Sequence, residues 1–324
     1  MSALPSVSSL AGPDVRAFRR RLETRLTAAV AFCDGTAGRR AEETLQAGGK
    51  RLRPLLVYLS APIAGRSGPD LERAAAAVEL VHMASLVHDD VLDRAALRRG
   101  LPTVWATHGD AIATATGDYL FARAFAVLAE TGDADATAVL ARCALDLSRG
   151  EALQRGQTRR PETSPAEYLA RCTLKTGALF AAACGLGARL GGTRDPLVLG
   201  ALEDYGRSLG LAFQVGDDVL DCDGAPDATG KALGTDLLDG TASLPLLLAA
   251  RLDPVVAAAL RDGVARSDVL PVLHRVRTSG ALDEARAEAY RHVAEAKDAL
   301  ERLGDDLDIP ALAAVADGVV DRDS

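Results

Sequence analysis

The chain of 324 residues is 48% hydrophobic, 25% charged and only 4% aromatic, and Ala, Leu, Arg, Glu and Asp dominate it. That mixture supports a large core built from good helix formers and short of the β-branched and aromatic residues that fill strands. A formal net charge of −8 argues against non-specific nucleic-acid binding, which needs a basic surface, but leaves room for an anionic substrate held through metal ions or local Lys and Arg.

In chain order, residues 1–14 are Ser- and Pro-rich, with no basic segment leading into an apolar run. They read as a disordered N-terminus, not a signal peptide. Residues 15–324 read as one domain. Apolar residues at helical spacing predict helices over Val15–Phe32, Asp70–Asp93, Asp118–Glu130, Asp135–Leu153, Pro165–Leu190 and Pro196–Cys222. Further helices are expected at Leu244–Arg251, Pro254–Asp262, Val269–Thr278, Leu282–Leu303 and Ala311–Val320. Breakers fall at Gly65–Gly68, at Gly191–Pro196 and in the long Gly-, Asp- and Thr-rich loop Asp223–Thr241, a length often met in functional lids. No alternating run is long enough for a sheet, so the expected fold class is all-α, one large helical bundle of roughly ten or more helices. The most apolar stretches, Ala178–Leu190 and Leu244–Ala250, are shorter than the ~18 residues of a membrane span, and no transmembrane segment is expected. Cys33, Cys143, Cys172, Cys184 and Cys222 are scattered and form no Cys-x-x-Cys pair. A disulfide framework or zinc site is therefore disfavoured, and a reducing cytoplasm is the natural setting.

Two segments carry the chemistry. In His88-Asp89-Asp90-Val91-Leu92-Asp93, Asp89 and Asp93 are four residues apart and Asp90 and Asp93 three apart, so on a helix their carboxylates share a face. Gln214-Val215-Gly216-Asp217-Asp218-Val219-Leu220-Asp221 repeats that spacing at the end of a second apolar helix. A solvated acidic helix end is the bland alternative for either one. Acidic residues belong near helix N-termini, however, and these lie deep in or late along their helices. Two copies of one spacing suit a hard cation such as Mg²⁺, which uses one or two carboxylates plus substrate phosphates. Two facing sets could grip a diphosphate and neutralise it as it departs.

The cations needed for such a substrate are present. Gly48-Gly49-Lys50-Arg51-Leu52-Arg53-Pro54 places three on a flexible segment before a helix, and Arg98-Arg99-Gly100 follows the first Asp cluster on a loop edge. Arginine forks suit phosphate oxygens, although a basic run is more often a solvated surface. Lys175-Thr176 opens an apolar helical stretch, Lys231 sits in the long loop, and His82 lies two turns before Asp89. Taken singly, each lysine could be an ordinary surface residue and His82 a hydrogen-bonded core residue.

In order, these segments resemble the trans-isoprenyl diphosphate synthase (polyprenyl synthetase) family, most of all its medium- and long-chain bacterial members, from about Gly48 to Pro245. The matches are Gly-Gly-Lys-Arg-Leu-Arg-Pro, His-Asp-Asp-x-x-Asp with Arg-Arg-Gly, Gly150-Glu151-Ala152-Leu153-Gln154, Lys175-Thr176-Gly177, Phe213-Gln214 with Asp217-Asp218-x-x-Asp221, and Gly234-Thr235-Asp236 with Leu244-Pro245. The resemblance implies an isoprenoid synthase fold, a homodimer and a central cavity in each subunit. It implies a prenyltransferase that joins isopentenyl diphosphate to an allylic diphosphate by ionisation, condensation and elimination. It assigns Asp89, Asp90, Asp93, Asp217, Asp218 and Asp221 to Mg²⁺, about three ions per site. Arg98, Lys175 and Lys231 would hold the allylic diphosphate; Lys50, Arg53, His82 and Arg99 would hold that of isopentenyl diphosphate. Thr176 and Gln214 would lie beside the reacting carbons. One departure stands out: Thr241 occupies a position where many members carry Lys, which removes an allylic-site cation.

Product length depends on what lies below the first Asp cluster. Val81, Ala84 and Ser85, one to two turns upstream, are small or modest. One helix turn advances about 5.4 Å, comparable with one isoprene unit. With no aromatic cap at Ala84 or Ser85, and with Phe121 or Phe125 as a deeper floor, the expected product is C30–C50, with C20 as the alternative. Two other readings remain open on the residues. A class I terpene cyclase shares the fold and the first Asp motif, but normally lacks the second and has no need of a second diphosphate site. A non-catalytic regulatory subunit of a heteromeric synthase tends to lose one Asp motif.

Overall fold

The computed structural model describes residues 12–31, 35–223 and 233–320. Helices α1 (Pro13–Val30), α2 (Thr36–Gln46) and α3 (Leu52–Leu59) lead into α4 (Pro69–Leu92). A small hairpin of β1 (Leu97–Arg98) and β2 (Leu101–Pro102) then turns the chain into α5 (Val104–Ala129). Next come α6 (Ala134–Gln157), α7 (Pro165–Cys172), a five-residue π-helical turn at Thr173–Gly177, α8 (Ala178–Leu190) and α9 (Pro196–Asp223). The remainder is α10 (Thr235–Asp239), α11 (Leu244–Leu252), α12 (Pro254–Asp262), α13 (Val269–Thr278), α14 (Ala281–Leu300) and α15 (Ile309–Val320).

Two long helices organise the bundle because they are apolar on most of their circumference, the pattern of a buried helix rather than a surface one. Helix α4 buries Ala74–Val78, Leu80, Val81, Met83, Ala84 and Val87, and packs along α5 and against α3 and α8. Helix α9 buries Leu202, Tyr205, Leu209, Ala212 and Val215 against α8 and α14. One core cluster fills the space around α4, α5 and α8; a second gathers the C-terminal half of α9 with α11 to α14. Each fully buried leucine of these clusters contributes about 2 kcal/mol of transfer free energy. Both Asp clusters emerge where α4 and α9 end, so packing that is largely apolar below, apart from the buried Glu79, becomes polar at one rim.

Several sequence expectations shift. The α5 helix starts at Val104, not Asp118, and is broken at Gly109 (φ 76°, ψ 178°), after a first turn capped by the Thr103 hydroxyl. The stretch Asp110–Gly117 is Ala- and Thr-rich and gives little periodic signal. Helix α2 was not anticipated, and α3 begins at Leu52, so Arg53 and Pro54 are helical instead of part of a flexible lead-in. The predicted helix Pro165–Leu190 is interrupted by the π turn. A short helix, α10, occupies part of the predicted loop Asp223–Thr241, whose residues 224–232 lie outside the described ones. The expectation that no segment reaches membrane-spanning length fails for α5, which is long and apolar enough by length and composition. Its inner face, including Ala113, Gly117, Leu120, Ala124 and Leu128, is nevertheless buried in the bundle, as in a core helix.

Candidate active site

The first Asp cluster ends α4, and its three carboxylates do not share one environment. Successive residues point about 100° apart around a helix. Asp89 and Asp93, with side chains 22% and 33% exposed, stay at the rim, while Asp90, 7% exposed, turns inward. Arg98 meets Asp90 with a two-nitrogen fork at 2.7 and 2.8 Å. Asp93 accepts from Arg155 at 2.7 Å, and Asp89 lies 3.6 Å from Lys175. Glu151 links these two cations, accepting from Arg155 at 2.7 Å and pairing closely with Lys175. Burial raises the Asp89 carboxyl against the pull of Lys175, with Glu151 and Asp93 adding to the rise. Burial would also raise Glu151, but Lys175 and Arg155 together hold it below the usual carboxylate range.

The cations of the basic segments divide by backbone geometry. Arg51 adopts a left-handed conformation (φ 52°) at the start of α3, which sends its side chain inward to Glu79 at 2.8 Å and Glu23 at 2.8 Å. Lys50 stays exposed, and Arg53 projects from α3 over the Phe180 ring, 4.6 Å from its centroid, with Phe213 alongside. Arg53 also approaches His82 at 3.3 Å. Burial, then Arg53 and Arg99, hold the His82 imidazole well below its ordinary value, so it is neutral near pH 7 and serves as a hydrogen-bonding group. In the hairpin, Arg99 (φ 53°) and Gly100 (φ 77°) form the two-residue turn, both with positive φ as type I′ requires. That turn separates the paired arginines: Arg98 reaches Asp90, while Arg99 donates to the Gly48 carbonyl. A cavity of about 600 Å³ opens here, walled by His82, Met83, Val87, Asp90, Arg98 and Arg99.

The π turn brings the second Asp cluster into the same network. Lys175 and Thr176 are adjacent on it, yet Lys175 reaches toward Asp89 while the Thr176 hydroxyl donates to Gln214 Oε1 at 2.7 Å. Gln214 Nε2 in turn donates to Asp218 at 2.8 Å. Asp218 is buried, unlike the partly exposed Asp217, and also accepts from the Tyr168 hydroxyl at 2.7 Å and the Leu244 N–H at 3.4 Å. Burial pushes both the Tyr168 hydroxyl and the Asp218 carboxyl up. Asp221 closes the cluster by accepting the Thr235 and Asp236 N–H groups at 3.1 and 3.0 Å, which caps α10.

Asp90 and Asp218 are turned into the protein and bound by its own donors, because neighbouring residues point in different directions around a helix. The carboxylates facing outward are Asp89 and Asp93 of the first cluster and Asp217 of the second, while Asp221 is turned to the α10 backbone. Among the described residues no three carboxylate, imidazole or thiolate groups converge as a ready-made metal cage. Outward aspartates, the pair Asp89 and Asp93 with Asp217, still suit Mg²⁺, which keeps waters and shares its shell with substrate phosphates. Lys231 lies outside the described residues. Val81 and Ala84 are fully buried in the core around α4; Ser85, Phe121 and Phe125 are half-buried, and Phe121 stacks on His88 with ring centroids 5.7 Å apart. The Thr241 N–H donates to the Asp236 carbonyl at 2.8 Å. Sequence reasoning did not single out Arg155, Tyr168 or the Phe180–Phe213 platform. Glu151 was visible only inside a quoted motif. Only an acidic residue facing Lys175 from one turn of α6 could have flagged it.

Outward aspartates, the cations Arg98, Arg155 and Lys175 beside them and a polar Thr–Gln step on an all-α frame suit an enzyme that works on a diphosphate. The sequence pattern of the polyprenyl synthetase family matches residues 37–269. Component 2 of heptaprenyl diphosphate synthase from Geobacillus stearothermophilus is 39% identical over 284 residues, covering 87% of this chain and 88% of that one. Octaprenyl diphosphate synthase from Haemophilus influenzae is 34% identical, covering 99% and 98%. The crystal structure of a polyprenyl synthase from Caulobacter crescentus, complexed with calcium and isoprenyl diphosphate, superposes with a TM-score of 0.87 at 38% identity, covering 99% and 98%. The chain belongs to the polyprenyl synthetase family: it has the isoprenoid synthase fold and is a prenyltransferase.

Proposed function

We propose that the chain extends an allylic diphosphate with isopentenyl diphosphate to an all-trans product of C30–C50, using Mg²⁺. The observation that carries this reading is the π turn, whose neighbours Lys175 and Thr176 tie the first Asp cluster and the Gln214–Asp218 pair into one polar rim. Asp89, Asp93 and Asp217 would hold Mg²⁺, which when bound supplies positive charge to the departing diphosphate. Arg98, Lys175 and Lys231 bind the allylic diphosphate; Lys175 exchanges Glu151 for phosphate oxygens as it does so. Lys50, Arg53, His82 and Arg99 hold the diphosphate of isopentenyl diphosphate and keep its double bond beside the allylic carbon, an effectively intramolecular arrangement. The oxygens of Thr176 and Gln214 face the carbons where positive charge develops, and act as preorganised dipoles. The tail extends past Ser85, Ala84 and Val81 toward Phe121 and Phe125. Medium- and long-chain products are named for several relatives, heptaprenyl and octaprenyl among them. Homodimerisation is part of the proposal, supported by the exposed Ala-rich outer face of α5. A cytoplasmic setting is supported by the buried free thiols of Cys143, Cys172, Cys184 and Cys222.

The test is to incubate the purified protein with Mg²⁺, isopentenyl diphosphate and, separately, C5, C10, C15 and C20 allylic primers, and to size the dephosphorylated products by mass spectrometry. A ladder ending at one length supports the reading and fixes that length. Cyclic hydrocarbon formed without consumption of isopentenyl diphosphate overturns it. Ala84→Phe should shorten the product while the first condensation persists; an unchanged length removes Ala84 from the tail path. A second reading has one observation behind it, the name "component 2" carried by the Geobacillus relative. It predicts no turnover by the chain alone and recovery when a partner polypeptide is added.

A further inference from the structure

Gln214 is useful to a developing carbocation in only one of its two amide orientations. With its oxygen toward the reacting carbons it offers negative potential; flipped, its NH₂ group would offer positive potential and oppose the reaction. The structure contains a device that selects between them. Asp218, when ionised, can only accept hydrogen bonds, so the Gln214 group facing it must be the NH₂, at 2.8 Å. The amide oxygen is thereby directed at Thr176, whose hydroxyl donates to it at 2.7 Å. Asp218 is itself held in place: Tyr168 donates its hydroxyl at 2.7 Å and the Leu244 N–H, at the start of α11, approaches the same carboxylate oxygen at 3.4 Å. Tyr168 is completely buried. Its ring lies under the Arg171 guanidinium, 5.0 Å from centroid to carbon. Arg171, also buried, fastens α7 to the chain ahead of α11 by donating to the Ala242 carbonyl at 3.0 Å, and reaches α6 through Gln157 at 2.9 Å.

We infer that Tyr168 and Asp218 are positioning residues whose task is to lock the Gln214 amide with its oxygen toward the allylic carbons. The inference rests on the prenyl-transfer reading above and deepens it. Asp218 then acts from behind the site as an anchor for the amide, while Asp217, its neighbour in sequence, faces outward. Fixing a side chain by a partner whose own rotamer is locked is how a site keeps its dipoles oriented before charge appears.

The experiment combines kinetics with a measurement independent of turnover. Tyr168→Phe removes the donor to Asp218, Asp218→Asn removes the acceptor-only selector, and Gln214→Ala removes the group they act on. Expected kcat losses are about fivefold for Tyr168→Phe and about fiftyfold for Asp218→Asn, with KM for both substrates changed by less than about threefold. In the Gln214→Ala background neither should lower kcat by more than about twofold, because residues that act through one group are not additive. Full additivity there overturns the inference, since it would mean that the pair acts on the fold or elsewhere in the site. The chain has four glutamines, Gln46, Gln154, Gln157 and Gln214, so [¹⁵N]glutamine labelling resolves the Gln214 side-chain amide, assigned by its loss in Gln214→Ala. Its protons should exchange slowly with water in the unsubstituted protein and at least about tenfold faster in Tyr168→Phe and Asp218→Asn. Equal exchange in all three overturns the inference. If the unsubstituted protein transfers no prenyl group, the proposed function fails, and the amide measurement still decides whether the lock exists.

Discussion

The two Asp-x-x clusters share a spacing and differ in almost everything the spacing does not specify. In each the middle aspartate is turned inward, Asp90 on α4 and Asp218 on α9. Asp90 meets a charged partner, Arg98, delivered by a two-residue hairpin turn. Asp218 meets neutral ones, the Tyr168 hydroxyl and the Gln214 amide. The outer aspartates differ too: Asp93 faces the Arg155 cation, whereas Asp221 caps a short helix through backbone N–H groups. One cluster is an ion-paired rim whose cations can change partners when a diphosphate arrives. The other is a hydrogen-bonded scaffold with one outward carboxylate, Asp217. A repeated motif therefore reports where carboxylates stand on a helix, and the elements packed across from it decide what each one does.

The sharpest way to break this contrast is to neutralise one aspartate from each side. Asp89→Asn should lower kcat by about 10³-fold at saturating Mg²⁺, and Asp217→Asn by a similar factor, because each removes a group facing the departing charge. Steady-state rates for the pair decide it: a loss below about tenfold at Asp217 would make the second cluster structural throughout. Glu151→Gln should have a smaller, different signature. With Glu151 neutral, Lys175 and Arg155 press harder on Asp89 and Asp93, so the Mg²⁺ concentration for half-maximal rate should rise by about five- to tenfold while kcat at saturation holds within about threefold. Titration of activity with Mg²⁺ reads this directly.

Gly150→Ala disturbs the first rim through packing instead of charge. A methyl group at Gly150 would sit 2.5 Å from the Lys175 amide nitrogen and 2.8 Å from its Cα, backbone atoms that cannot swing away. The expected cost is about 2–3 kcal/mol, an overpacking strain that offsets the helix-propensity gain of alanine, measured by denaturant unfolding. Least costly should be Asp221→Ala, which removes the cap of α10 for about 1 kcal/mol by the same assay. A loss above about 3 kcal/mol would mean that Asp221 holds more of the fold than one short helix.

Much of this was legible in the sequence, and the reasons are local. Asp89 and Asp93 are four residues apart, so any helix puts them on one side, and the apolar runs of α4 and α9 left no doubt that helices carried them. Thr176 and Gln214 were legible as a pair only through the family resemblance. Their hydrogen bond joins segments 38 residues apart. Tyr168 was silent, and the role of Glu151 inside its motif was hidden, for the same cause. A lone Tyr or Glu in a helix carries no sign of its partner until two helices pack together. The break at Gly109 was hidden because a glycine in an Ala- and Thr-rich stretch reads as a weak helix, not as a change of direction. The inward turn of Arg51 was hidden because its left-handed backbone is uncommon for arginine and is held by Glu23 and Glu79, from two other helices.

The π turn at Thr173–Gly177 also has a meaning for anyone who would rebuild this helix. It is a phase shift: the wider turn changes the angular register between α7, which carries Tyr168 and Arg171, and α8, which carries Phe180. Forcing the same residues into regular α-helical pitch, with none deleted, would leave the chemistry of the site's side chains intact while rotating one half of the segment against the other by about 100°. Lys175 and Thr176 would lose their opposite destinations, and a protein of nearly unchanged composition would have its two aspartate clusters out of step.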